Sequence, residues 1–208
     1  MTTVLYPGSF DPFHNGHREL VETAAYLFDD VVVATMRNPQ KGEPLFSLED
    51  RESMIVDSLA HLDNVRVVHF AKLVVDVAKD VGADFIVKGL RALSDFESEM
   101  AQAQMNLAVS GVHTVFLPTA SAASFVASKY IRDIVRFGGD VSEMVPVPVW
   151  KRLQEKYPVK GKKRPGRCTT TRANGWRRPP LRGARCRPVA TARAAAISIR
   201  RARRCCVA

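Results

Sequence analysis

Tyr6-Pro7-Gly8-Ser9-Phe10-Asp11-Pro12-Phe13-His14-Asn15-Gly16-His17 is the stretch on which the fold turns. A short apolar run, Val4 to Tyr6, enters a tight Pro7-Gly8 turn. A helix with apolar positions Leu20, Val21, Ala24, Ala25 and Leu27 leaves it. Strand, glycine turn and helix in that order set backbone N–H groups and a helix N-terminus against phosphate. The phosphate loop GxxxxGK[ST] and the dinucleotide fingerprint GxGxxG are both absent. What marks the stretch is His14-x-Gly16-His17 at the start of the helix.

Outward from this stretch, apolar runs at 31–35, 65–70, 85–87 and 114–117 read as four more strands. Helices are expected between them. One starts at an N-cap Ser47, with Asp50 three residues on, and runs to about His61. One covers 73–81 and stops at Gly82. Others cover about 95–110, then 124–136 up to the Gly138-Gly139 break, then 149–157. Strands alternating with helices at crossover lengths predict an α/β, doubly wound, five-stranded parallel sheet with helices on both faces. Ligands of such sheets sit at the carboxyl ends of the strands. The polar candidates fall there: Ser9 to His17, Lys41, the start of the third helix at Leu73, Lys88 to Arg91, and the region of Ser124.

The net charge of +10 describes two unlike parts. Residues 1–159 carry 15 Lys and Arg against all 21 Asp and Glu, a balance of −6. Residues 160–208 carry the other 16 Lys and Arg with no acid, a balance of +16, and all four cysteines: Cys168, Cys186, Cys205 and Cys206. The first part is the size of one ordinary domain, without cysteine and so without a disulfide framework. No apolar run approaches the ~20 residues of a membrane helix, and no basic-then-apolar leader opens the chain. A cytoplasmic enzyme domain is expected over 1–159, and a disordered basic tail over 160–208. The tail fits a basic arm for nucleic acid or anionic surfaces. It also fits translation out of frame or past a lost stop in a GC-rich gene. Its composition favours the second, so no nucleic-acid or membrane partner is expected.

Residue types at the strand ends suit phosphate. Lys88 and Arg91 flank Gly89-Leu90 directly after a buried strand, an arrangement that clamps phosphates. Lys41 taken alone is a solvated loop lysine, Leu73 and Val74 read as core, and the acids from Asp95 to Glu99 favour a helix N-terminus. His14 and His17 are either a phosphate pair, a capping pair or a fragment of a zinc site. Their spacing without a nearby acid or cysteine argues against zinc, and no metal site is expected.

Gly8 to His17 resembles the first signature of the HxGH nucleotidylyltransferases. Asn38-Pro39-Gln40-Lys41, Lys88-Gly89-Leu90-Arg91 and Asp95-Phe96-Glu97-Ser98-Glu99 extend the resemblance. Over residues 1–158 the chain is similar to the bacterial phosphopantetheine adenylyltransferases, with their Rossmann-like nucleotidylyltransferase fold. That family transfers AMP from ATP to 4'-phosphopantetheine, giving dephospho-coenzyme A and pyrophosphate in coenzyme A biosynthesis. The resemblance implies His17, Lys41 and Arg91 as the catalytic set. It implies ATP contacts at Ser9, Phe10, His14, His17, Gly89, Leu90, Arg91 and Glu99, and along Ala123, Ser124, Phe125, Val126, Ala127, Ser128 and Lys129. The acceptor contacts it implies are Ser9, Lys41, Leu73, Val74 and Lys88. It also implies Mg²⁺ arriving with ATP, a homohexamer and a cytoplasmic location.

The last motif departs from the superfamily pattern: Ala127 and Lys129 stand where hydroxyls are usual, while Ser128 and Arg132 remain. Each lost hydroxyl donor weakens phosphate contacts by about 1 kcal/mol, and Lys129 is a cation that could compensate. Two alternatives carry over. One is another HxGH enzyme with a nicotinate mononucleotide or glycerol phosphate acceptor. The other is a non-catalytic nucleic-acid-binding protein using the tail.

Overall fold

The computed structural model describes residues 1–36, 42–91, 93–118 and 125–159, excluding the side chains of 93–95. Lys41, Ala123, Ser124, the side chain of Asp95 and the whole of 160–208 lie outside the described residues. The elements are β1 (Thr3–Gly8), α1 (Asn15–Leu27), β2 (Asp30–Met36), α2 (Leu48–Leu59), β3 (Val65–Phe70), α3 (Val74–Asp80), β4 (Phe85–Leu90), α4 (Leu93–Ser110), β5 (His113–Pro118), α5 (Ser128–Arg136) and α6 (Val147–Lys156). The five strands form one parallel sheet in the order β3-β2-β1-β4-β5.

The period-2 pattern of the strands builds two cores. Val4, Tyr6, Val31, Val33 and Val87 face one side, where they pack with Leu20 and Val21 of α1, Met54 and Ile55 of α2, Ile131 of α5 and Leu153 of α6. Leu5, Val32, Ala34 and Ile86 face the other side, against Val77 and Ala78 of α3. The local signals hold where they were read. Ser47 Oγ accepts from the Asp50 N–H at 3.0 Å. Gly82 sits at φ 67 after α3, a backbone that glycine adopts without cost.

The chain steps from β1 to β2 and β3 on one side, and from β4 to β5 on the other. The switch point therefore lies between β1 and β4, where doubly wound sheets bind ligands. Here the structure corrects the expected boundaries. β1 does not turn at Pro7-Gly8; both residues stay in the strand, paired with Ala34 and Thr35. β4 pairs with β1 only at Val4 and Leu5, so the strands part beyond that point. A proline with no N–H to give is tolerated in the half of β1 that has lost one neighbour. The turn comes two residues later, at Phe10, whose φ is 43. Gly8 is needed for a different reason: a Cβ there would lie 2.6 Å from Cζ of Phe10. β4 likewise runs past Val87 to Leu90, held by β5 from Phe116 to Pro118. α4 begins at Leu93 rather than 95 and α5 only at Ser128 rather than 124. α6 begins at Val147, with a proline in its first turn, where a fixed φ suits a helix start.

Candidate active site

The parting of β1 and β4 opens a cavity of about 450 Å³. Five segments line it. The β1–α1 loop and the first turn of α1 supply Ser9, Phe10, His14 and His17. The end of β4 and the residues after it supply Lys88, Gly89 and Arg91. α4 supplies Glu99, and the start of α5 supplies Ala127, Ser128 and Lys129. Tyr6, Arg132 and Leu20 also line it. The sequence-predicted residues that do not line it are equally specific. Leu90 closes β4 opposite Pro118, Phe125 is exposed, and Val126 is buried in the core. Leu73, read as core, is 66% exposed as the N-cap of α3, because α3 is a short helix whose buried positions start at Val75. Val74 packs against the Leu5 core on the other face of the sheet.

His14 is the N-cap of α1, and its ring stacks on His17 with centroids 3.5 Å apart. The His14 backbone N–H donates to Nδ1 of His17 at 3.3 Å. An accepting Nδ1 leaves the proton of a neutral His17 on Nε2, so the ring keeps a donor on its far edge. Phe10 and Phe13 pack around His17 with centroids at 5.0 and 5.6 Å and fix its orientation. Burial, with the Arg91 guanidinium adding to it, lowers the His14 pKa from 6.5 to about 3. His14 is therefore a neutral ring at pH 7, and lysine and arginine side chains bring cationic charge to the cavity. Burial also holds the Tyr6 phenol above its ordinary pKa, leaving a neutral hydroxyl. Among the described residues, no three His, Cys, Asp or Glu side chains are grouped to hold a metal ion.

The loop that carries this machinery is braced from several directions. The Asp11 carboxylate accepts the N–H groups of Leu45 at 2.8 Å and Phe46 at 3.0 Å. Arg132 of α5 donates to the Asp11 carbonyl and reaches its carboxylate at 3.5 Å. Ser128 Oγ donates to the Pro12 carbonyl at 2.9 Å. Arg51 of α2, 2% exposed, donates to the Ser9 carbonyl at 2.6 Å. Burial lowers the Arg51 pKa, with the Asp11 and Glu49 carboxylates opposing that shift.

The opposite rim is arranged differently. Lys88 Nζ lies 3.2 Å from Oε2 of Glu99 and donates to Gln102 at 2.9 Å. Arg91 Nη1 donates to the Val126 carbonyl at 3.2 Å. α5 opens at Ala127, whose methyl offers no side-chain cap, so the first N–H groups of α5 start beside Lys129 without one. A row of N–H donors and cations around a histidine donor suits a polyphosphate.

Comparison with known proteins agrees with this chemistry. Residues 5–134 match the cytidylyltransferase-like family model. The phosphopantetheine adenylyltransferase of Heliobacterium modesticaldum is 46% identical over 165 residues, covering 78% of this chain and 98% of that protein. That of Haemophilus influenzae is 43% identical over 157 residues, covering 75% of this chain and 100% of that protein. The chain belongs to the phosphopantetheine adenylyltransferases, within the cytidylyltransferase-like family. Among solved structures, a putative nicotinate-nucleotide adenylyltransferase from Vibrio parahaemolyticus matches with a TM-score of 0.54 at 15% identity, covering 74% of this chain and 99% of that one. At that identity the likeness is one of fold.

Within this family member, sequence reasoning passed over Asp11, Arg51 and Tyr6 as parts of the site, and noted Arg132 without giving it a role. A signal for Arg51 was present. Positions 51, 54, 55 and 58 make one helical face, and all four are buried. A cation on an apolar face is a residue to question. Asp11 carried no such signal, because its partners lie 34 and 35 residues away.

Proposed function

We propose that this chain transfers the AMP of Mg-ATP to the phosphate of 4'-phosphopantetheine, forming dephospho-coenzyme A and releasing pyrophosphate. The observation that carries the proposal is one cavity lined by His17, whose Nδ1 accepts the His14 N–H, together with Lys88, Arg91 and Lys129. An acceptor phosphate oxygen forms the new bond to the α-phosphorus as the bond to pyrophosphate breaks. Neither oxygen needs a protein nucleophile, so the protein contributes position and charge. His17 donates to an α-phosphate oxygen as charge builds there, aided by the N-terminal dipole of α1. Arg91, Lys129 and the first N–H groups of α5 take the leaving pyrophosphate. Lys88 and Lys41 hold the acceptor phosphate, and Lys88 must exchange Glu99 for that phosphate to do so. Mg²⁺ arrives on ATP and is held by its phosphates and water.

We further infer a cytoplasmic homohexamer as the working form. Met105, Leu107 and Val109 are exposed along α4 and support contact between copies. No helix among the described residues is long and apolar enough to cross a membrane. The test is pyrophosphate release from Mg-ATP with 4'-phosphopantetheine, nicotinate mononucleotide or glycerol 3-phosphate offered separately. Release with the first alone, lost in His17→Ala, is expected. Release with another acceptor alone overturns the substrate.

A further inference from the structure

Arg51 is a buried cation that the chemistry above leaves unused. Its Nη1 donates to the carbonyls of Ser9 at 2.6 Å and Met36 at 3.3 Å, and its Nε to that of Ser47 at 3.1 Å. The three carbonyls belong to three segments: the loop after β1, the last residue of β2 and the cap of α2. Burying a guanidinium is costly even with the Asp11 and Glu49 carboxylates acting on it. An apolar side chain beside Met54 and Ile55 would fill the same face of α2 without that cost.

The Ser9–Phe10 peptide shows what Arg51 achieves. That peptide is trans and planar, so its C=O and N–H point in opposite directions. Holding the Ser9 carbonyl on Arg51 turns the Phe10 N–H away from α2. Phe10 sits at φ 43, a left-handed backbone that is strained for a non-glycine residue and persists only where the surroundings impose it. Ser9 and Phe10 both line the cavity.

We propose that Arg51 is a positioning residue: its guanidinium holds the Ser9–Phe10 peptide so that the Phe10 N–H is presented to a phosphate of ATP. The Met36 bond ties that peptide to the end of β2, so the two strand ends keep a fixed separation. The inference rests on the proposed nucleotidyl transfer, and its test separates the two.

Mg-ATP binding by calorimetry and pyrophosphate release are compared in the full chain, Arg51→Lys, Arg51→Ala and Met54→Ala, each below its melting temperature. Met54→Ala, on the same buried face of α2, lowers stability without removing any of the Arg51 hydrogen bonds. Arg51→Lys keeps the charge but cannot span three carbonyls, and it serves if Arg51→Ala fails to fold. The expected result is about 10-fold weaker Mg-ATP binding and lower kcat in Arg51→Lys, with both retained in Met54→Ala. Low-millimolar guanidinium should restore binding in a folded Arg51→Ala. Wild-type Mg-ATP affinity and kcat in Arg51→Lys would overturn the proposal, as would equal losses in Met54→Ala. A wild-type chain that releases no pyrophosphate with 4'-phosphopantetheine fails the substrate proposal instead, and the Mg-ATP affinities still decide Arg51.

Discussion

The two rims of the cavity are built on opposite plans. On the β1–α1 side, Asp11, Arg51, Ser128 and Arg132 fasten one loop to three other segments, and His14 and His17 stack under a wall of phenylalanines. On the β4–α4 side, Lys88 is held by Glu99 and Gln102, which a substrate can replace. The first rim is arranged before any ligand arrives, at a cost met by the fold. The second holds Lys88 on a carboxylate until a phosphate competes for it. Preorganised donors lower a barrier, because nothing has to rearrange as charge develops. Exchangeable pairs set affinity.

The largest effect should come from the preorganised rim. His17→Ala is expected to lower kcat about 10²–10³-fold with little change in the KM for ATP, the usual loss when one preorganised donor is removed. Steady-state pyrophosphate release checks it. A loss confined to KM would move His17 to the exchangeable side of the comparison.

Asp11→Ala should weaken folding by about 3 kcal/mol, because two buried N–H groups and Arg132 lose a charged partner. Urea unfolding measures it. An unchanged midpoint would mean that the loop is held without this brace.

The buried His14 sets a pH dependence on the same rim. Its folded pKa, about 3, lies below the 6.5 of an unperturbed ring. Between those values the unfolded chain takes up a proton that the folded chain refuses, so stability falls as pH drops through that window. Above pH 7 this contribution is flat. From pH 7 to pH 5 the loss is about 2 kcal/mol, and His14→Gln should abolish that share. Urea midpoints at the two pH values test it, and an equal drop in the variant would assign the slope to other groups.

The smallest effect belongs to the second rim. Glu99→Gln should tighten 4'-phosphopantetheine binding about two- to five-fold, because a partly exposed ion pair is worth about 1 kcal/mol. Calorimetry of the acceptor alone reads it out. Weaker binding would show that Glu99 assists the acceptor rather than competing with it.

Much of this was legible in the residues. The five parallel strands, the Ser47 cap, the Gly82 stop and the clustering of Ser9, His17, Lys88 and Arg91 at one sheet edge follow from period, caps and strand ends. Leu73 misled because an apolar residue ahead of a short helix reads as core, whereas α3 buries only Val75, Val77 and Ala78. Pro7-Gly8 misled because a turn pair usually ends a strand. Here the strand loses its β4 neighbour and needs a glycine beneath the Phe10 ring.

The sequence by itself determined the class of fold, the strand ends that meet and the types of charge placed there, since each depends on neighbours a few positions away. Only the tertiary structure decided that β1 lies between β2 and β4, that these strands part after Leu5, and that Arg51 and His14 are buried. Only it decided that Lys88 meets Glu99. Those outcomes depend on which surfaces lose water together, and that is set by segments tens of residues apart closing on one another.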